Sequence, residues 1–270
     1  MCETCGCTIT PGNAHLVADQ GRLSHTKDGT KSIEVLSSLL HENNHMAAHN
    51  REHFNRHNVL ALNLMSSPGS GKTALLESTI KALKSRYRIG VIEGDLETEN
   101  DAMRIRAHGV PAVQITTGQA CHLDAHMVHD ALHELDLDSL DIVFIENVGN
   151  LVCPASFDLG HHANITLLSV TEGDDKPAKY PVMFRGSDLV LLTKSDLLEF
   201  LDDFDTQKAE THVRNLANSA PVLTLSARRE DTLGPWFNWL GEMVEARQNA
   251  QNLTPTIQPD GIALHRVGSS

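Results

Sequence analysis

Seven short apolar runs recur between residues 59 and 227, and polar or helix-like stretches fill the gaps between them. The runs are VLALNLMSS, RIGVIEGD, PAVQITT, DIVFIEN, ANITLLSV, SDLVLLTKSD and APVLTLSA. Each has the length of a strand, and most are apolar throughout rather than alternating. Continuous apolar strands interleaved with helices predict a mostly parallel sheet covered by helices on both faces, an α/β fold. A helix is expected from Thr73 to about Ser85 and another from about Leu233 to Arg247. Upstream, Ile33, Leu36, Leu39 and Leu40 recur at helical spacing, and the helix they predict runs to about His57. The pattern divides the chain into an N-terminal Cys/His-rich arm and helix (1–57), a nucleotide-binding unit (58–248) and a flexible tail (249–270).

The first strand leads into SSPGSGKT, Ser66 to Thr73, and then into a helix. That is the setting a phosphate-binding loop requires. Gly69 and Gly71 let backbone N–H groups close on phosphate oxygens at a helix N-terminus. Pro68, Ser70 and Ala74 complete the lining, Lys72 supplies a point charge, and Thr73 offers a hydroxyl to Mg2+. Ser66 stands where the strict pattern has its first glycine. Acidic residues follow two other strands. Asp95 ends RIGVIEGD and Glu146 lies in DIVFIEN, both expected at the edge where open α/β sheets bind ligands. Asp95 or Asp101 is expected to orient the attacking water, with Glu146 supporting Mg2+ directly or through water. Because phosphoryl transfer needs mainly positioning and charge neutralisation, turnover without a partner is expected to be slow.

LLTKSD, Leu191 to Asp196, ends a further strand. The carboxylate of Asp196 can accept from both N1–H and the 2-amino group of guanine, and the stem of Lys194 can lie along the ring. Thr193 stands where G-proteins carry Asn. Ser226 and Ala227, in a following LSA, fit a loop supporting the base O6. These residues point to GTP.

Composition changes the picture in two ways. Lys plus Arg total 22 against 35 Asp plus Glu, a formal net charge of -13, which argues against nucleic acid as a partner. No run approaches the length of a membrane span, and no secretory signal opens the chain. Three of the five cysteines, Cys2, Cys5 and Cys7, fall within the first seven residues. Such clustering suits metal binding in a reducing cytoplasm better than a disulfide framework. Three thiolates and a terminal amine match square-planar Ni2+, whereas Zn2+ prefers a tetrahedron. Cys121, His122 and Cys153 form a second candidate group. Cys153 follows Glu146 on the loop where GTPases sense the terminal phosphate, so an ion held there should respond to hydrolysis. Two histidine ladders, His41, His45, His49, His53, His57 and His122, His126, His129, His133, read either as solvated faces or as weak metal ligands.

The segments MCETCGC, SSPGSGKT, EGDLETENDA, TTGQACHLDA, FIENVGNLVCPASFDLG, EGDDKPAKYP and LLTKSD together resemble the HypB family of nickel-incorporation GTPases for hydrogenase maturation. The resemblance implies the signal-recognition-particle-like branch of P-loop GTPases and a GTP-dependent homodimer. It implies a tight nickel site at Cys2, Cys5 and Cys7, and nickel or zinc at Cys121, His122 and Cys153. It also implies delivery of nickel, with a maturation partner, to the large-subunit precursor of a [NiFe]-hydrogenase. Lys176 reads as a contact across the dimer or as an ordinary surface lysine. A urease-type accessory GTPase, a nickel storage protein and a P-loop kinase are the competing readings, and LLTKSD argues against the last.

Overall fold

The computed structural model describes residues 30–95, 99–118, 120–251 and 253–255, with the backbone alone from 30 to 39. All seven apolar runs become strands: β1 (Leu60–Ser66), β2 (Ile89–Asp95), β3 (Ala112–Thr116), β4 (Ile142–Glu146), β5 (Ala163–Ser169), β6 (Leu189–Thr193) and β7 (Val222–Thr224). They form one sheet in the order β3-β2-β4-β1-β5-β6-β7. Every pairing is parallel, so the mostly parallel sheet expected is wholly so. Each crossover therefore returns the chain to the same edge. Ser66, Asp95, Glu146, Ser169 and Thr193, the last residues of five strands, lie along it.

The helices are α1 (Thr30–Arg56), α2 (Lys72–Leu83), α3 (Asn100–Arg106), α4 (Ala125–Leu132), the short α5 (Lys176–Lys179) and α6 (Pro181–Arg185), α7 (Thr206–Asn215) and α8 (Gly234–Gln248). Side chains of β1 alternate between the two faces, as the strand period of two demands. Leu60, Leu62 and Leu64 pack with Phe144, Leu75 of α2 and Trp236 of α8. Ala61 faces the other way, toward Phe54 of α1 and Val128 of α4. Both faces are covered, which is why β1 is buried along its whole length.

α1 has a thin apolar stripe, and buried amides complete its contact with the domain. Asn43 donates to the Asp158 carbonyl at 2.8 Å and accepts from the Ala125 amide at 2.9 Å. Asn50 donates to the Ala125 carbonyl at 2.7 Å. Arg51 bonds both carboxylate oxygens of Asp158 at 2.8 Å. A buried amide is tolerated only when its hydrogen bonds are made, and these bonds dock α1 in one register against α4. No described helix is long and apolar enough to cross a membrane.

Candidate functional site

The loop between β1 and α2 turns through Gly69 at φ 75° and Gly71 at φ 94°, a backbone region that costs glycine nothing. Lys72 is folded back: its ammonium donates to Ser66 Oγ at 2.9 Å and lies 4.0 Å from Glu146 Oε1. Thr73 Oγ1 donates to the same Glu146 oxygen at 3.0 Å. Pro68, Gly69, Gly71, Lys72, Thr73, Ala74, Asp95, Asp101 and Glu146 line one cleft of about 380 Å3. Asp101 is held there by Arg104, which donates to it at 2.7 Å.

Glu93, absent from the sequence-based assignments, is the buried acid of this cleft. Its register partner across the β2–β4 ladder is Glu146, so the two carboxyl groups face each other. Burial, then the Glu146 charge, pushes Glu93 up to about 10. Burial also raises Glu146, against the pull of Lys72. Glu93 therefore holds a proton and bonds to Glu146, as expected when two carboxyl groups share one buried site. Glu93 Oε1 and Glu146 Oε2 are buried without a hydrogen-bond partner. The signal was present in the sequence: an acid in the middle of the apolar run RIGVIEGD is out of place unless something needs it. Glu172 was missed too. It accepts from the hydroxyls of Ser67 and Ser70 and from the Ser169 amide, tying β5 to the phosphate loop.

The residues that the sequence assigns to the base gather beside this cleft. Ser70, Gly71, Ala74, Lys194, Asp196, Ser226 and Ala227 line a second pocket of about 240 Å3, which shares Gly71 and Ala74 with the first. Lys194 adopts φ 59°, a left-handed conformation that a non-glycine residue keeps only when its surroundings demand it. Ser226 Oγ donates to Asp196 Oδ1 at 2.5 Å, and Ser78 of α2 holds the Ala227 carbonyl at 2.9 Å. Thr193 donates to the Ser70 carbonyl at 2.7 Å, so it links base loop and phosphate loop.

Cys121, His122 and Cys153 converge within 4.8 Å of one another, although 32 positions separate the two cysteines. The sulfurs are 3.0 Å apart. His122 is fully buried and stacks on Phe157 with ring centroids 4.0 Å apart. Burial lowers it to about 4, so the imidazole is neutral and able to ligate. Its Nε2 has no hydrogen-bond partner. Two thiols and a neutral imidazole form a donor set for zinc or nickel. Cys2, Cys5 and Cys7 lie outside the described residues.

One loop joins the two centres. Glu146, Asn147, Val148 and Gly149 line the nucleotide cleft, and Cys153 lies four residues further on. A Cβ on Gly149 would meet Pro68 Cα at 2.8 Å, so this loop crosses directly against the phosphate loop. Asn147 Oδ1 accepts the Leu123 amide at 3.1 Å, one residue past His122. Asn147 Nδ2 donates to Asn63 of β1 at 3.2 Å, and Asn63 donates to Asn164 of β5 at 2.9 Å.

The family model of the CobW/HypB/UreG nucleotide-binding domain matches residues 60–224. Hydrogenase maturation factor HypB of Azotobacter vinelandii is 49% identical over 222 residues, covering 82% of this chain and 73% of that protein. Among solved structures, HypB from Helicobacter pylori in complex with nickel is similar at 41% identity and TM-score 0.73, over 79% of this chain and 98% of that one. HypB from Archaeoglobus fulgidus is similar at 36% identity and TM-score 0.71, over 76% of this chain and all of that one (100%).

Proposed function

The chain belongs to the HypB group of the CobW/HypB/UreG family, and from that premise we propose that it is a GTP hydrolase coupling nucleotide state to nickel handling in hydrogenase maturation. The observation that carries the proposal is the shared loop. Residues 146–149 face the nucleotide cleft, Asn147 grips the backbone beside His122, and Cys153 ends the same segment.

GTP binds with its phosphates in the loop from Pro68 to Ala74 and its base at Lys194, Asp196, Ser226 and Ala227. Lys72 leaves Ser66 to neutralise the β and γ phosphates. Asp95 or Asp101 orients the attacking water from the rim of the cleft. Mg2+ fits Thr73, Glu146 and Glu93, since a hydroxyl and two carboxyl groups meet there and Glu93 Oε1 and Glu146 Oε2 are buried without a hydrogen-bond partner. When bound, Mg2+ neutralises charge on the phosphates. Nickel is cargo. It enters at Cys2, Cys5 and Cys7 or at Cys121, His122 and Cys153, and three protein donors leave room in the shell for a second copy of the chain or the receiving protein. Zinc suits the inner group equally well by donor chemistry. A GTP-dependent homodimer, action in the cytoplasm and a hydrogenase precursor as recipient belong to the same proposal. The relative from Azotobacter vinelandii is named for hydrogenase, which favours that recipient over urease.

Calorimetric titration with Ni2+ tests the coupling. Protein loaded with GDP and protein loaded with a non-hydrolysable GTP analogue should differ in affinity at the inner site by roughly fivefold or more. Cys153→Ala should erase the difference. Equal affinities in the two nucleotide states would sink the coupling.

A further inference from the structure

The two histidine ladders of the sequence meet on the surface where α1 packs against α4. His49 and His53 of α1 face His129 of α4, and His133, which caps the C-terminus of α4, stands beside His129. Ring centroids are 4.7 Å apart for His49–His53, 5.0 Å for His49–His129, 5.8 Å for His53–His129 and 4.8 Å for His129–His133. Each helix thus contributes a pair four residues apart, the spacing that puts two side chains on one face.

The buried Asn50 settles the chemistry of His129. Its Nδ2 donates to the Ala125 and Leu159 carbonyls at 2.7 and 3.2 Å, so its Oδ1 is the acceptor that faces His129 Nδ1 at 3.0 Å. The proton of His129 therefore sits on Nδ1, and Nε2 presents a lone pair. That Nε2 lies 3.3 Å from Nε2 of His133. In a tetrahedral site with metal–nitrogen bonds of about 2.0–2.1 Å, neighbouring nitrogens stand about 3.3–3.4 Å apart and ring centroids about 5 Å apart. The His129–His133 nitrogen pair and three of the four centroid spacings match, while His53–His129 is wider, so closing all four rings on one ion takes side-chain rotation of the exposed His49 and the half-buried His53. A metal-bound imidazole usually donates its other N–H to a fixed acceptor, and Asn50 is such an acceptor.

We propose that His49, His53, His129 and His133 form a binding site for a divalent transition ion of the zinc or nickel type, separate from the Cys121–His122–Cys153 group. Imidazole donors suit these ions and exclude magnesium and calcium, which take oxygen. An ion there clamps α1 onto the helix that leads out of the Cys121–His122 loop.

Zn2+ alone is the probe, added to the full chain and counted by equilibrium dialysis, with thermal unfolding followed in parallel. His49 and His133 are exposed, so the His49→Ala/His133→Ala double variant leaves the Asn50 bond and the packed interface intact. It should bind one equivalent of zinc fewer than the parent and lose most of the zinc-induced rise in Tm. A His49→Gln/His133→Gln pair, checked by circular dichroism, guards against a folding artefact and should give the same loss. His41→Ala/His45→Ala, on the exposed N-terminal rungs of the same ladder, should keep the parent stoichiometry. Cys121→Ser/Cys153→Ser should keep the histidine-bound equivalent. Unchanged stoichiometry in both His49/His133 variants, or an equal loss in the His41/His45 control, overturns the site.

Discussion

His162 shows how a single residue can be fixed by two neighbours. Its Nδ1 accepts the Ala61 amide at 2.9 Å and its Nε2 faces Asn55 Oδ1 at 3.1 Å, so the ring has to be neutral with its proton on Nε2. Burial lowers His162 to about 3 and the adjacent His161 to about 4. In the unfolded chain both titrate near 6.5. From about pH 6.5 down to about 4 the unfolded state therefore binds protons that the folded state refuses. Stability is constant with respect to these groups above that window and falls within it, by about 1.4 kcal/mol per pH unit for each histidine. Urea unfolding at pH 7.5, 6 and 5 should show this loss, and His162→Gln should flatten the slope by one histidine's share. Lys72→Ala removes the ammonium seated between Ser66 and Glu146 beside the phosphate loop. GTP hydrolysis should drop by about two orders of magnitude in a phosphate-release assay, while the fold is retained. Lys72 was evident from its motif. Glu93 stood out as an acid in an apolar run, but its partner was not legible, because that depends on which strand lies beside β2, and the neighbour is β4, 53 residues later in the register pair Glu93–Glu146.

Between elements, the polar ladder Asn164–Asn63–Asn147 links β5, β1 and the end of β4, and it reaches the metal loop through the Leu123 amide. Buried asparagines inside two apolar strands and at the end of a third would be costly unless bonded to one another. Here the bonds also make a mechanical connection from the nucleotide cleft to the residue after His122. Asn147→Ala leaves Asn63 and the Leu123 amide short of a partner, at a cost of about 1–3 kcal/mol. Nickel and nucleotide should both still bind. The dependence of nickel affinity on nucleotide state should shrink toward none, as read by the same titrations in GDP and in the GTP analogue. An undiminished dependence would mean that the coupling runs through Gly149 and Pro68 instead. The elements themselves were legible in the sequence: seven apolar runs became seven strands, and the helices after the phosphate loop and at the C-terminal end of the domain lie where expected. What α1 covers was not legible, since of the four apolar residues in HENNHMAAHNREHFNRH only Ala47 and Phe54 are buried and its docking relies on buried Asn43 and Asn50.

Across the whole molecule, a parallel sheet places the ends of five strands on one edge and brings two binding centres onto one loop system. Linkage then works both ways. Whatever factor separates nickel affinity in the two nucleotide states must also separate the affinities of GDP and the GTP analogue with and without nickel. Competition binding of fluorescent nucleotides at saturating and zero Ni2+ should return the same ratio as the calorimetry, and a mismatch would point to metal bound elsewhere. Local pattern was enough to determine the parts: the alternation of strands and helices, the glycine turn between β1 and α2, the carboxylate that follows β6 and the grouping of three thiols within the first seven residues. Each of these is set by residues close together in the chain, where period, spacing and turn chemistry speak directly. Only the tertiary structure decided that Glu93 faces Glu146, that Asn147 holds the Leu123 amide beside Cys121 and His122, and that two histidine ladders meet on one surface. Those pairings join residues dozens of positions apart, and they follow from strand order and helix docking, which no local pattern encodes.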